Sequence, residues 1–467
     1  MTRAVSVIGL GKLGCSMAAA FASCGLEVIG VDVDSRTVEF VNNGLAPVQE
    51  TALSDLIAAN KERIRATLSH REAVLGSEVS FVIVPTPTNE RGEFSLEYAK
   101  WAFTEIGKAL AEKRSYHLVV LTSTVLPGAT RASLLTILKR ESRKTAGRDF
   151  GLCYSPEFIA LGSIIRNFLN PDFTLIGELD TRSGDHLERL YANVVQNGAP
   201  SARMSLENAE LTKVAINSYV TAKITFANML AALCEQVPGG DVDVVTNALG
   251  LDRRIGKRYL AGAGRFGGPC FPRDNVALSV ISEYLGVDAS LPRVIDRLNR
   301  STSDRIVKQI MREVPQGSTI AVLGLAYKPF SHVIEESQGI EIARELSQNR
   351  YRIVAYDPLS EHMPLEDLRR DVVVLASVAE CVEQAEAVVI TTPDPEFAAL
   401  DSADLMNGFA QMRVFDVWRL LRDKLAGNER IAYFGTGLGD PADASLTRRL
   451  SMLWAKEDSE GLSAGSR

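Results

Sequence analysis

The sequence predicts an α/β protein with two Rossmann-like, doubly wound domains joined by a long central helix and a helical middle domain. Three observations predict it. Residues 4–34 read as a β-branched strand, a glycine turn, an alanine-rich helix and a second strand. Residues 205–237 carry helix formers with neither glycine nor proline. After Ser318 the alternation of strand and helix begins again.

Taken in order, "AVSVIG" (4–9) is the first strand and ends in glycine. "LGKLGCSMAAAFASCG" follows with helical apolar spacing and closes at Gly25. "EVIGVDVD" is the second strand. Further strands are expected at 79–88, 117–128, 151–158 and 173–178, with helical segments between most of them. Along 205–237 the apolar residues Leu211, Val214, Ile216, Val220, Ile224, Leu230 and Leu233 spread over more than one face. A helix apolar on several faces is buried or shared between subunits, so a homodimer across it is expected. Helical pattern continues to about residue 312. The second alternating block has strands at 318–328, 351–358, 371–377, 386–394 and 413–418 and a helix at 338–348. "AVLGLA" and "IVAYDP" there echo "SVIGLG" and "VIGVDVD" near the start. The expected division is 1–200, a dinucleotide-binding domain; 201–312, a helical middle; 313–445, a second Rossmann-like domain; and 446–467, a tail whose last dozen polar residues are disordered.

A chain of 467 residues exceeds the roughly 250–300 that one core supports, which agrees with several domains. Lys and Arg number 51 against 58 Asp and Glu, a net charge of −7. That balance argues against a nucleic-acid or anionic-membrane partner, while a local basic site still suits a small anion. No apolar run approaches the ~20 residues of a membrane span, and no charged start with a cleavage site precedes the first strand. The six cysteines are scattered, with no CxxC pair, so neither a metal site nor a disulfide framework is expected and a reducing cytoplasm is the expected home. Five of them read as small buried hydrophobes.

Gly9, Gly11 and Gly14 form GxGxxG between strand and helix. The first permits the tight turn, the second lets backbone approach a pyrophosphate, and the third lets the helix pack closely on the strand. The helix N-terminus offers unpaired N–H groups to the phosphates. Asp32 ends the next strand, 18 residues past Gly14, where a carboxylate binds the ribose hydroxyls of NAD and repels the extra phosphate of NADP. NAD is the expected cofactor.

The sixth cysteine, Cys270, lies in "GRFGGPCFPRD" (264–274). Glycines before it let backbone approach a ligand, and no His or second Cys stands near enough to suggest a metal. Metal ligand, packing residue and nucleophile are the three readings. A thiolate beside an NAD domain suits one chemistry in particular. It adds to an aldehyde, gives up hydride to NAD, and holds the acyl group as a thioester until water arrives.

"GGPCFPRD" resembles the cysteine motif of the UDP-glucose/GDP-mannose dehydrogenase family. The resemblance extends to about residue 440 through "VPTPTN" (84–89), "STVLPG" (123–128), "SPEF" (155–158), "ELTKVAINSY" (210–219), "LDRRIG" (251–256) and "VLGLAYK" (322–328). It implies oxidation of C6 of a nucleotide sugar from alcohol to carboxylate with two NAD, UDP-glucose or TDP-glucose being the expected substrates. By the same resemblance Cys270 is the nucleophile. Lys213 and Asn217, four residues apart on the long helix, face the C6 oxygen. Asp274 holds water and the lysine, and Thr124 and Glu157 position the water. Thr86 and Thr124 line the NAD pocket. Arg254 reaches the sugar from a neighbouring subunit, Lys328 contacts the nucleotide phosphates, and Phe266, Gly267 and Arg419 also touch substrate.

The chain departs from the family's pattern in places. Leu161 stands where a second glutamate is common, and "KPFSHVIEES" (328–337) replaces "KPNTDDIRES". His332 and Val333 thereby replace two aspartates, and Glu335 an arginine that approaches the cofactor. Pro269 and Arg273 replace serine and lysine, and Arg419 stands one residue later than the family's arginine. A one-step hydroxyacid dehydrogenase is a rival reading that needs neither Cys270 nor residues 318–440. A non-catalytic nucleotide-sugar or NAD sensor is a second.

Overall fold

The computed structural model describes residues 2–89, 91–159, 162–406 and 408–464, with side chains to Trp454. Two compact units divide the chain, Met1–Ile216 and Asn217–Arg467. The boundary between these units falls inside the helix Leu206–Cys234, within the stretch expected to form the helical middle.

The N-terminal unit is built on eight strands: β1 (Ala4–Ile8), β2 (Glu27–Val31), β3 (Ile64–Thr67), β4 (Val79–Val82), β5 (His117–Leu121), β6 (Phe150–Tyr154), β7 (Thr174–Glu178) and β8 (Ser201–Ser205). They lie in the order β3-β2-β1-β4-β5-β6-β7-β8. Val7 of β1 sits between Gly30 of β2 and Phe81 of β4, all three parallel. Among the paired strands of the described residues, β6–β7 is the one antiparallel pair in this sheet. The central strands are buried on both faces, which explains their continuous apolar runs. On one face Phe21, from the helix Lys12–Ser23, packs on Phe81 with ring centroids 4.8 Å apart. Each such fully buried phenylalanine contributes about 1.5–3 kcal/mol relative to exposure. The alanines of that helix leave little side chain between its backbone and the sheet. The opposite face is filled by Phe103, Ile106 and Leu110 among others.

The C-terminal unit holds six parallel strands: β9 (Thr319–Leu323), β10 (Arg352–Tyr356), β11 (Val373–Val374), β12 (Ala387–Ile390), β13 (Met412–Asp416) and β14 (Ile431–Gly435). Their order, β11-β10-β9-β12-β13-β14, repeats that of the first six strands of the other sheet. The likeness reaches single residues. A Cβ on Gly14 would lie 1.9 Å from the Gly9 carbonyl oxygen, and one on Gly339 would lie 1.9 Å from that of Gly324. The backbone echo read from "SVIGLG" and "AVLGLA" is thus a shared helix-on-turn contact. The helices Val242–Leu251, Phe271–Tyr284 and Ser290–Glu313 precede this sheet, as the helical pattern to about residue 312 predicts.

The tail differs from expectation. A helix spans Ala444–Ala464, where a disordered end is expected from about residue 456. Leu, Met, Ala, Arg, Lys and Glu, which recur along it, are sound helix formers.

Candidate active site

In the N-terminal unit the glycine turn is shaped for a ligand's phosphates. Gly9 has φ +95°, and a Cβ there would lie 2.3 Å from the Ile83 carbonyl oxygen. At Gly11 a Cβ would meet nothing within 4 Å, so its backbone is open to a ligand. Asp32 accepts from Leu10 N–H at 2.8 Å through Oδ2 and from Asp34 N–H at 3.0 Å through Oδ1. Its strand-end cap leaves room for the expected ribose contact, because each carboxylate oxygen keeps a further lone-pair direction. Close approach, open backbone and half-buried carboxylate together fit NAD.

Beyond the turn, the ends of β4 and β5 are cross-tied. Thr86 donates to the Thr124 carbonyl at 2.8 Å, and Ser123 bridges both backbone groups of Val84. Ser123 is a contributor that the sequence reading missed. After β6 the chain carries Glu157, a half-buried residue with an enclosed carboxyl. Burial raises its pKa to about 8, against the opposing pull of Lys213. Lys213 is buried; its Nζ donates to the Glu157 carbonyl at 2.7 Å and lies 4.6 Å from the centre of the Phe158 ring. The lysine is therefore anchored beside Glu157, as a solvated helix lysine would not be. Leu161 lies outside the described residues.

In the C-terminal unit Asn217 and Cys270 flank Asp274. Asn217 donates to Asp274 Oδ2 at 2.6 Å, and Arg273 approaches Oδ1 at 3.4 Å. Asp274 is wholly buried. A second tie runs one turn along, where Thr221 donates to Asn275 at 3.1 Å. Cys270 stands at the N-cap of the helix Phe271–Tyr284, where unpaired N–H groups favour negative charge. It is exposed, whereas Cys15, Cys153, Cys234 and Cys381 are buried and Cys24 half-buried. Burial lifts the thiols of Cys15 and Cys381 to about 12, which keeps them inert.

Two asparagines that sequence reasoning missed hold the loop before Cys270. Asn228 donates to the Gly264 carbonyl at 3.0 Å and accepts from Ala263 N–H at 2.9 Å. Asn299 does the same to both backbone groups of Phe266, each at 2.9 Å. A side-chain amide here substitutes for a neighbouring strand. Phe266 is accordingly buried, and a Cβ on Gly267 would lie 2.2 Å from the Glu336 carbonyl oxygen. In this unit both residues shape the loop. The only prior signal was a polar residue inside an apolar helical run, "ITFANMLAAL" for Asn228.

The remaining candidates differ. Arg254 is exposed and forked onto Asp252 at 2.6 Å. Lys328 is half-buried, 5.6 Å from the Tyr327 ring centre. Arg419 corrects an expectation. It is nearly buried, with φ +60°, and pairs with both oxygens of Asp243 at 2.7 and 2.8 Å. It also donates to the carbonyls of Ala261, Gly262 and Thr436. Its N–H groups are committed to the protein, so it locks β13 to the helix Val242–Leu251 and presents no donor to substrate. His332, Val333 and Glu335 belong to a segment whose backbone supports other loops: Val333 O accepts from Tyr327 N–H at 3.1 Å, and Glu335 O from Gly268 N–H at 3.0 Å. Among the described residues no cluster of His, Cys, Asp or Glu could hold a metal ion, and no helix is long and apolar enough to cross a membrane.

The glycine turn, the carboxylate of Asp32 at the end of β2 and the doubly wound parallel strands define a dinucleotide-binding protein of the Rossmann type. The chain belongs to the UDP-glucose/GDP-mannose dehydrogenase family: residues 3–195 match its NAD binding domain, 207–301 its central domain and 321–423 its UDP binding domain. It is 33% identical to the UDP-glucose 6-dehydrogenase AglM of Haloferax volcanii, over 89% of this chain and 97% of that one. It is 32% identical to the GDP-mannose 6-dehydrogenase of Pseudomonas putida, over 85% and 92%. Among solved structures it resembles a UDP-glucose dehydrogenase from Pyrobaculum islandicum, with a TM-score of 0.83, 30% identity, and 94% and 98% of the two chains covered. The protein is an NAD-dependent nucleotide-sugar dehydrogenase, and NAD is its cofactor.

Proposed function

We propose that the chain oxidises C6 of a nucleotide sugar, UDP-glucose before TDP-glucose, from alcohol to carboxylate through Cys270. The observation that carries this reading is the cysteine pattern: the one exposed thiol of six stands at a helix N-cap, on a loop held by side chains. The UDP binding domain and the UDP-glucose relatives support the choice of base and sugar.

NAD, when bound, supplies the acceptor for hydride. Gly9, Gly11, Gly14 and Asp32 would hold it, with Thr86 and Thr124 beside it. Removal of two electrons from the alcohol gives the C6 aldehyde. Cys270 sulfur then bonds to C6 and the former carbonyl oxygen takes the proton, forming a thiohemiacetal. Lys213 and Asn217 stabilise the oxygen while it is negative. Removal of two more electrons leaves a thioester. Glu157, with Thr124, positions the water that replaces sulfur, and the thiol regains its proton. Asp274 keeps Asn217 in place. Lys328 meets the diphosphate, and Arg254 reaches a neighbouring subunit's sugar.

A homodimer is part of this reading. Leu211, Tyr219, Phe226, Met229 and Leu233 are exposed at helical spacing along one stripe of the helix Leu206–Cys234. Light scattering is expected to give twice the chain mass, and a monomeric mass would refute the dimer.

The test of function is to incubate the protein with excess NAD and UDP-glucose, TDP-glucose, GDP-mannose or UDP-N-acetylglucosamine, counting NADH and weighing the product. The four-electron reaction gives two NADH per sugar and a product with two hydrogens fewer and one oxygen more. One NADH with an aldehyde or ketone product would overturn the role of Cys270. Turnover of GDP-mannose alone would overturn the choice of base.

A further inference from the structure

The loop that carries Cys270 is pinned by Asn228, by Asn299 and by a third side chain of different character, Arg265. Its side chain is 5% exposed, and its Nη2 lies 2.9 Å from Glu336 Oε2 and 3.1 Å from the Glu336 carbonyl. Its Nε lies 3.1 Å from Glu341 Oε2, which also accepts from Ser303 Oγ at 2.6 Å. An enclosed guanidinium between two carboxylates is expensive to bury and is kept only by close pairing. Glu336 itself is held at φ +53°, in the left-handed region that a glutamate seldom adopts.

The tie joins two specific segments. One is the loop 264–269, which leads into Cys270. The other is 327–336, which begins at Tyr327 and Lys328. Their backbones are in close register: Gly268 N–H meets the Glu335 carbonyl, and a Cβ on Gly268 would lie 2.5 Å from the Tyr327 ring. A side chain at Gly268 would not fit against Tyr327, and Arg265 is the charged fastening of that arrangement.

We propose that Arg265 is a positioning residue for Cys270, holding the nucleophile's loop in register with segment 327–336 through Glu336 and Glu341. The proposal rests on Cys270 being the nucleophile of the proposed reaction. Loss of the guanidinium removes the cation that pairs with both carboxylates and frees the loop to shift.

The experiment compares wild type, Arg265→Met and Arg265→Lys. The first readout needs no substrate: the rate of Cys270 alkylation by iodoacetamide from pH 6 to 10, with the labelled peptide identified by mass. The second is turnover with the nucleotide sugar that the wild type accepts. In Arg265→Met the alkylation profile is expected to shift along the pH axis, and kcat to fall by about 100-fold with little change in KM. Arg265→Lys is expected to recover only part, since an ammonium lacks the planar fork. A role in general stability alone would lower Tm and leave the profile of the folded protein in place. Should Arg265→Met fail to fold, Glu336→Gln carries the same test from a carboxylate that is 43% exposed. An unchanged alkylation profile and unchanged kcat overturn the proposal. A shifted profile in a protein that turns over no nucleotide sugar upholds the positioning and removes the proposed reaction instead.

Discussion

Asn217 donates its side-chain N–H to Asp274 at 2.6 Å, and the acceptor carboxylate is completely buried. Each group therefore depends on the other. Asn217→Ala leaves a buried charged oxygen without its donor, a loss of about 1–3 kcal/mol. A lower Tm together with slower turnover is the expected result. Asn217→Asp is expected to be worse, because it sets two carboxylates in contact. A Tm of Asn217→Ala equal to that of wild type would show that the pair contributes nothing to stability.

Cys270→Ala should abolish net acid formation and leave NAD affinity near that of the wild type, since Cys270 contributes nothing to the glycine cradle. Product analysis by mass, with NAD binding followed by fluorescence, separates the two effects. Full acid production by this variant would sink the thioester route.

Glu157 predicts a pH effect. Its carboxyl holds a proton up to about pH 8 because burial disfavours the charge. If its carboxylate positions the hydrolytic water, thioester breakdown should accelerate as pH rises through about 8, and Glu157→Gln should flatten that limb. The sign for stability is the opposite. The folded state keeps a proton that the unfolded chain releases near 4.5, so this contribution is full below that pH and is lost as pH rises through about 8. A rising limb of the same height in Glu157→Gln would assign it to another group.

The glycines separate folding from binding. Gly14→Ala would put a Cβ 1.9 Å from the Gly9 carbonyl, so an overpacking loss of about 1–3 kcal/mol is expected along with lost NAD binding. Gly11→Ala meets open space, so its Tm should hold while NAD affinity falls. Equal Tm losses in the two variants would contradict this division.

Much of this is legible in the sequence, and the failures share causes. The buried central strands are evident as β-branched runs, and the long helix read as 205–237 spans Leu206–Cys234. The strands that sequence reasoning misses, β3, β8 and β14, all lie at or beside sheet edges, where one side lacks a partner and the apolar signal weakens. At a fourth edge a seven-residue strand is expected and β11 has two residues. Asn299 gives no signal and Asn228 only a faint one, because an amide on a helix reads as a solvated position. Their partners lie 33–36 residues away, a distance that no local pattern reports. Arg419 differs for a related reason: the resemblance implies a ligand contact, whereas its anions and carbonyls belong to distant segments of the same unit.

The repeated strand order has a consequence for how the chain is made. β1 and β9 each open a run of parallel strands in the same order, and parallel pairings form slowly because their partners are distant along the chain. During synthesis the first sheet is complete before β9 leaves the ribosome, and domains made first fold first. The 29-residue helix Leu206–Cys234 lies between the two sets of strands in the sequence, and its backbone hydrogen bonds are local, so it forms quickly. A chain diluted out of denaturant has no such order of events. Both look-alike sheets then begin at once, and strands of one copy compete for places in the other. Refolded material is therefore expected to carry strand exchanges that newly translated protein lacks.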